Sequence, residues 1–201
     1  MIWPDRTEPG DVYQPAEDSE LLATAAREAV EPTDLVLDVG TGAGYVAGAM
    51  AKTGARVVAN DLNPHACRQA RERYGPDGDF RDRRTPPVEV VRADLVDPFA
   101  DGAFDVVAFN PPYLPTEEDR ERDDWMAVAL SGGASGRAVI DRFLSSVGRV
   151  LAPDGTCLVL ASTLAGVGAV AERAGEAGFS AAVVREESFP FETLSVLKLI
   201  T

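Results

Sequence analysis

Asn110-Pro111-Pro112-Tyr113 follows the apolar run "FDVVAF", and its residue types suit a planar amino group. The two prolines fix the backbone and carry no N–H, which leaves carbonyl acceptors, and Asn110 adds a side-chain carbonyl. One acceptor from Asn110 and one from a proline match the two hydrogens of an NH2 group, and Tyr113 can lie against its plane. An amide or aromatic amine nitrogen is a poor nucleophile because its lone pair is delocalised. Hydrogen bonds to both N–H groups orient that nitrogen toward an electrophile and stabilise the positive charge it develops. Taken alone, two prolines after a strand are also an ordinary turn.

A second group of chemical residues lies nearer the N-terminus. "DVGTGAGY" places Asp38 before Gly40, Gly42 and Gly44 at the opening of a helix. Residues without side chains let backbone N–H groups approach a ligand closely. The spacing departs from the dinucleotide fingerprint, because Tyr45 stands where G-x-G-x-x-G wants its last glycine. Asp38 would repel a pyrophosphate and suits a ligand with positive charge. Asp61 ends the next strand, the place from which a carboxylate takes ribose hydroxyls. Asp94 and Leu95 end the one after, an acceptor and an apolar surface for an adenine. Asp61, with Asn63 and Pro64 behind it, could equally be the lead-in to a helix. Three acids at the ends of three successive strands favour a cationic, adenosine-containing ligand, for which S-adenosylmethionine is the candidate.

These residues need a scaffold that brings strand ends together. "DLVLDVG", "ARVVAND", "VEVVRAD", "AFDVVAFN" and "TCLVLAS" are short apolar runs separated by helical stretches near 44–53, 64–74, 137–151 and 164–177. A further helix is expected in "AEDSELLATAAREAV". Strands alternating with helices predict a parallel sheet covered on both faces, with ligands beyond the carboxyl ends of its strands. "FSAAVVREESF" and "ETLSVLKLI" have no room for a helix between them and should pair antiparallel. Two segments lack a clear period: "GPDGDFRDRRTPP" reads as a surface connection. "TEEDRERDDWMAVALSGGASG" reads as a long loop of the kind that covers active sites. The expected organisation is a single domain, 1–201, with an N-terminal arm at 1–16 and an active-site loop at 113–136.

Acidic residues number 33 against 19 basic ones, a formal net charge of −14, which speaks against a nucleic-acid-binding surface. Only Lys52 and Lys198 are lysines. This balance suggests a halophilic protein whose carboxylate surface is screened by a salt-rich cytosol. No apolar run has the length of a membrane span, and a cytoplasmic location is expected. Cys67, Cys157 and the single histidine, His65, are too scattered for a metal site.

"DVGTGAGY", "NDLNP" and "FNPPY" resemble the class I methyltransferases, and the Asn-Pro-Pro-Tyr form is shared by adenine-N6 and glutamine-N5 methyltransferases. "VYQPAEDSELL" at 12–22, "SGGASGRAVIDRFL" at 131–144 and "ETLSVLKL" at 192–199 resemble the archaeal and eukaryotic HemK-type branch. The resemblance implies a Rossmann-like, doubly wound seven-stranded sheet, mostly parallel with an antiparallel last strand. It also implies methylation, from S-adenosylmethionine, of the glutamine of the Gly-Gly-Gln motif in a class 1 release factor. By position it implies that Ser19, Asp38, Gly40, Asp61, Asp94 and Leu95 line the cofactor site. Asn110 would face both cofactor and substrate, with Pro111 and Tyr113 completing the grip on the acceptor. Glu17 and Asp18 match the branch too, although acids in a helix's first turn have a dipole reason to be there. Relatives work as heterodimers with a small zinc-binding activator, and the open edge "VEVVR" at 88–92 is the expected docking strand. Two other readings stand beside this one: an adenine-N6 methyltransferase acting on DNA or RNA, and a non-catalytic subunit that keeps the fold for binding.

Overall fold

Strands and helices alternate along the chain in a computed structural model that describes residues 12–79, 84–116 and 124–201. The order is α1 (Glu17–Ala29), β1 (Leu35–Val39), α2 (Tyr45–Ala51), β2 (Arg56–Asp61), α3 (Pro64–Tyr74), β3 (Glu89–Arg92) and β4 (Phe104–Phe109). It continues with α4 (Trp125–Leu130), α5 (Ala138–Val150), β5 (Leu151–Ser162), α6 (Val167–Glu176), β6 (Ser180–Ser188) and β7 (Thr193–Ile200). The seven strands form one sheet in the order β3-β2-β1-β4-β5-β7-β6. β7 runs antiparallel to both of its neighbours, and the pairings from β3 to β5 are parallel. The chain leaves β1 toward one edge and returns at β4 on the other side. The crevice between these two strands is therefore the switch point at which such sheets bind ligands.

Burial on both faces explains the continuous apolar runs. Val36, Val106, Ala108 and Val196 pack with Leu22, Ala26 and Met50 under α1 and α2. Their neighbours Leu37, Val107, Phe109 and Leu197 point the other way, against Ile140, Phe143 and Val147 of α5 and Val170 of α6. Alternate residues of a strand thus enter different cores, as its two-residue period requires. α5 carries the strongest apolar stripe, and Phe143 meets Phe109 with ring centroids 4.5 Å apart.

Two departures from the sequence reading have local causes. β5 begins at Leu151, ahead of "TCLVLAS", because Leu151 pairs with Phe104 before an irregularity at Asp154, whose φ is 64°. The segment read as aperiodic loop contains α4, capped by Asp124, whose carboxylate accepts from the Ala127 N–H at 2.7 Å. Trp125 is only 2% exposed and anchors that helix. One turn and a half is too short to show a 3.6-residue period in sequence. Part of the same segment, 117–123, lies outside the described residues, as does 80–83 of the connection before β3. No helix among the described residues is long and apolar enough to cross a membrane.

Candidate active site

The carboxyl ends of β1, β2 and β4 open into a cavity of about 520 Å3, also lined by Tyr13, Ser19 and residues of α4. That volume is in the range of small-molecule sites. Every residue expected to hold a cofactor or an acceptor lines it except Gly44. Gly44 instead sits behind the loop as the residue before α2, with φ at 85°. A Cβ there would lie 2.8 Å from the Tyr74 ring, so both backbone and packing demand glycine. Gly40 lies at φ 62°, with its missing Cβ position 3.3 Å from Phe109.

The acids at the strand ends build this loop as well as lining it. Asp38 is 2% exposed, and its Oδ2 accepts from the Thr41 hydroxyl at 2.6 Å and the Ala47 N–H at 2.9 Å. Gly44 offers α2 no side-chain cap, so Asp38 satisfies an N-terminal donor of the helix from outside it. Burial pushes the Asp38 carboxyl up to about 7, against the pull of those hydrogen bonds and with a further push from the charge of Asp61. Asp61 accepts from the Gly42 N–H at 2.9 Å and the Asn63 N–H at 2.8 Å, tying the end of β2 to the glycine loop. Burial raises its pKa also, opposed by these backbone donors. Asn63 in turn caps α3 through the His65 N–H, so the helix-lead reading and the site reading hold together here.

Asp94 lines the cavity with one oxygen engaged, since Oδ2 pairs with Arg142 of α5 at 2.8 Å. Leu95 adopts φ 45°, a left-handed conformation that costs a branched residue about 1–3 kcal/mol. Asn60 holds it there, donating Nδ2 to the carbonyls of Leu95 at 2.9 Å and Ala93 at 3.3 Å. Sequence reading passed over Asn60, which stands one residue before the acid that drew notice. It is 1% exposed, and its Oδ1 has no hydrogen-bond partner among the described residues.

At the other end of the cavity, Asn110 donates Nδ2 to Asp18 Oδ2 at 3.0 Å. Its Oδ1 is buried without a partner among the described residues. A carboxylate only accepts, so this contact decides which way the amide points. Tyr13 donates its hydroxyl to the same Asp18 oxygen at 3.0 Å, and Ser19 donates to the other at 3.1 Å. Asp18, explained from sequence by the helix dipole, is thus part of the site. Pro111 is buried, and Tyr113 is half-buried beside the cavity. Burial first, then the charges of Asp18 and Glu192, hold the Tyr113 phenol well above its usual range. Glu192 lines the cavity too, with Oε2 accepting from Ser162 at 2.7 Å; it opens the segment "ETLSVLKL".

The chain leaving Tyr113 is fastened to the segment that returns toward α5. Leu114 donates to the Leu130 carbonyl at 3.0 Å and accepts from Gly132 at 2.9 Å. A Cβ on Gly136 would stand 2.6 Å from the Tyr113 carbonyl oxygen. The glycines of "SGGASG" therefore permit a close approach to the acceptor turn.

A family profile described as a methyltransferase domain matches residues 37–113, which run from the glycine loop to Tyr113. A Methanocaldococcus jannaschii protein named as a protein N5-glutamine methyltransferase is 35% identical over 188 residues, covering 93% of this chain and 90% of its own. This chain belongs to the HemK-type protein glutamine-N5 methyltransferase family, in its archaeal and eukaryotic branch. The Mus musculus methyltransferase HEMK2 is 34% identical, over 72% of this chain and 69% of its own length. Among solved structures, a chain of the E. cuniculi Mtq2–Trm112 complex superposes with a TM-score of 0.73 at 29% identity. The match covers 96% of this chain and 99% of that one. That complex is described as responsible for methylation of the eRF1 translation termination factor. The glutamine-N5 methyltransferase fold accounts for the parallel sheet with β7 reversed, and for a site at the β1/β4 switch point.

Proposed function

We propose that this chain transfers a methyl group from S-adenosylmethionine to the side-chain amide nitrogen of the glutamine in a class 1 release factor's Gly-Gly-Gln motif. The observation that carries the reading is the Asn110 Oδ1 atom, a buried acceptor without a partner among the described residues, on a residue that lines the same cavity as Asp38 and Asp61. A planar amide NH2 supplies the donor that this atom lacks, and burying such an acceptor unpaired would otherwise cost about 1–3 kcal/mol.

The residues present fit the cofactor. The glycine loop would receive its methionine portion, Asp38 its ammonium group, Asp61 the ribose hydroxyls, and Leu95 with Asp94 the adenine; Ser19 lines the same cavity. When bound, S-adenosylmethionine supplies an electrophilic sulfonium methyl. Everything else falls to the chain: Asn110 and the Pro111 carbonyl hold the acceptor's N–H groups, and Tyr113 lies against the amide plane. Within 113–136, Trp125, Val128 and Leu130 of α4 line the same cavity as Asn110. Catalysis rests on orientation and on acceptors aimed at the developing charge, with no covalent enzyme intermediate.

The reading extends to a small protein activator, as the Mtq2–Trm112 pairing suggests, docked along residues 88–92. β3 lies at one edge of the sheet, and Val91 is 40% exposed. Val88 is buried, so the exposed apolar surface of the edge is narrower than "VEVVR" implies. Arg71 of α3 donates to the Val90 carbonyl at 2.8 Å, a bond an incoming strand would rearrange. The opposite edge, β6, is blunted by a bulge between Val183 and Arg185 and by Glu186 and Glu187. Zinc in the activator, the heterodimer and a cytoplasmic site of action belong to the same reading.

The direct test incubates the protein, alone and with a co-expressed activator, with labelled S-adenosylmethionine and a release factor carrying Gly-Gly-Gln or its Gln→Arg change. Mass spectrometry is expected to place one methyl group on the glutamine and none on the altered factor. Transfer to adenine in DNA or RNA instead, or to neither, overturns the reading.

A further inference from the structure

We propose that Asp18 is a positioning residue for amide methylation: it selects the orientation of the Asn110 amide, so that Oδ1 and not Nδ2 meets the acceptor nitrogen. The proposal rests on the function proposed above. An asparagine amide is nearly symmetric in shape, and its two orientations have opposite meanings here. With Oδ1 toward the cavity it accepts from an NH2 group; with Nδ2 there it would set donor against donor.

Burial and bonding separate Asp18 from its neighbours. Glu17, Asp18 and Glu20 all lie in the first turn of α1, where the helix dipole favours acids. Glu17 and Glu20 are exposed, whereas Asp18 is 5% exposed and carries side-chain hydrogen bonds that a dipole role does not require. Among the described residues, four donors converge on its two oxygens: the Tyr13 hydroxyl, the Ser19 N–H, the Ser19 hydroxyl and Asn110 Nδ2. All four are neutral, so the carboxylate is held by hydrogen bonds. Ser19 occupies Oδ1, which leaves Oδ2 facing Tyr13 and Asn110. The contact joins residues 92 positions apart, so α1 reaches the acceptor turn directly through this one side chain.

The test uses Asp18→Ala, Asp18→Asn, Asn110→Ala and the Asp18→Ala/Asn110→Ala pair, with folding checked by thermal melts. In methyl transfer, Asp18→Ala is expected to lower kcat about thirtyfold, with the KM for cofactor within about twofold. Asp18→Asn keeps the volume but both donates and accepts, so it is expected to fall between Asp18→Ala and the unaltered protein. The double variant is expected to be no slower than Asn110→Ala alone, because Asp18 acts through that amide. Side-chain amide NMR gives a readout that needs no substrate: the Asn110 NH2 signals should move and exchange faster with water once Asp18 is replaced. Losses that multiply in the double variant, or Asn110 signals unmoved in Asp18→Asn, overturn the assignment. If the unaltered protein methylates no amide, the proposed function fails, and the NMR comparison still decides the Asp18–Asn110 contact.

Discussion

The strand-end acids at one end of the cavity and Asn110 at the other are bonded in different ways. At the cofactor end the acids are already engaged: Asp38 with Thr41 and Ala47, Asp61 with Gly42 and Asn63, and Asp94 with Arg142. At the acceptor end Asn110 is clamped on one side and left with an open acceptor on the other. Groups that shape a loop cannot be removed without loosening it. A cavity-lining group with an acceptor still open can be removed with the fold kept, and its loss falls on the chemistry. On the proposed reading, the residues lining this cavity divide into those that build it and those that act within it.

The sharpest contrast is expected from Asn110→Ala, which should lower kcat about a hundredfold or more while the cofactor affinity and the melting temperature stay close to the unaltered protein. Steady-state kinetics with calorimetric binding would show it; near-normal turnover would erase the difference between the ends. Asp61→Ala should behave otherwise, losing cofactor affinity and also about 2 kcal/mol of stability, since two backbone donors lose a charged partner. Urea unfolding of the cofactor-free variant measures this directly. A fully stable Asp61→Ala would mean that the carboxylate serves the ligand alone.

A smaller effect concerns pH. Asp38 has its carboxyl pushed up to about 7 by burial, and a cationic ligand binds its ionised form. Cofactor affinity is therefore expected to rise about tenfold between about pH 6 and pH 8 and to level off above that. Binding should release a proton, and Asp38→Asn should remove the dependence; isothermal calorimetry in buffers of different ionisation enthalpy would detect both. Without cofactor the sign reverses. The folded state binds the Asp38 proton more tightly than the unfolded one, so stability falls as pH rises from about 4 to about 7 and is flat above. Last and smallest, the charge of −14 should make the fold weaken as salt is removed, read as a falling melting temperature. A melting temperature that climbs on salt removal contradicts the salt-adapted reading of the surface.

Elements with a full period or a fixed punctuation were legible in the chain itself. Apolar runs ending in Asp38, Asp61, Asp94 and Asn110 announce strands whose carboxyl ends meet, because a parallel sheet buried on both faces leaves little else for such runs to do. The glycines at 40 and 44 were equally legible, since positive φ and close packing restrict a position to a residue without Cβ. α4 was not, because six residues and one anchoring tryptophan carry no periodic signal. Nor were Asp18, Asn60 and Glu192 as members of the site. Each belongs to a residue type with an ordinary local explanation, and each gains its role from a partner far along the chain: Asn110 for Asp18, Leu95 for Asn60, Ser162 for Glu192. Sequence alone could name the residues able to hold an amide, because that capacity resides in their chemistry. Which way the Asn110 or Asn60 amide points depends on what its nitrogen donates to, and only the packing of α1 against β4, and of β2 against the end of β3, decides that.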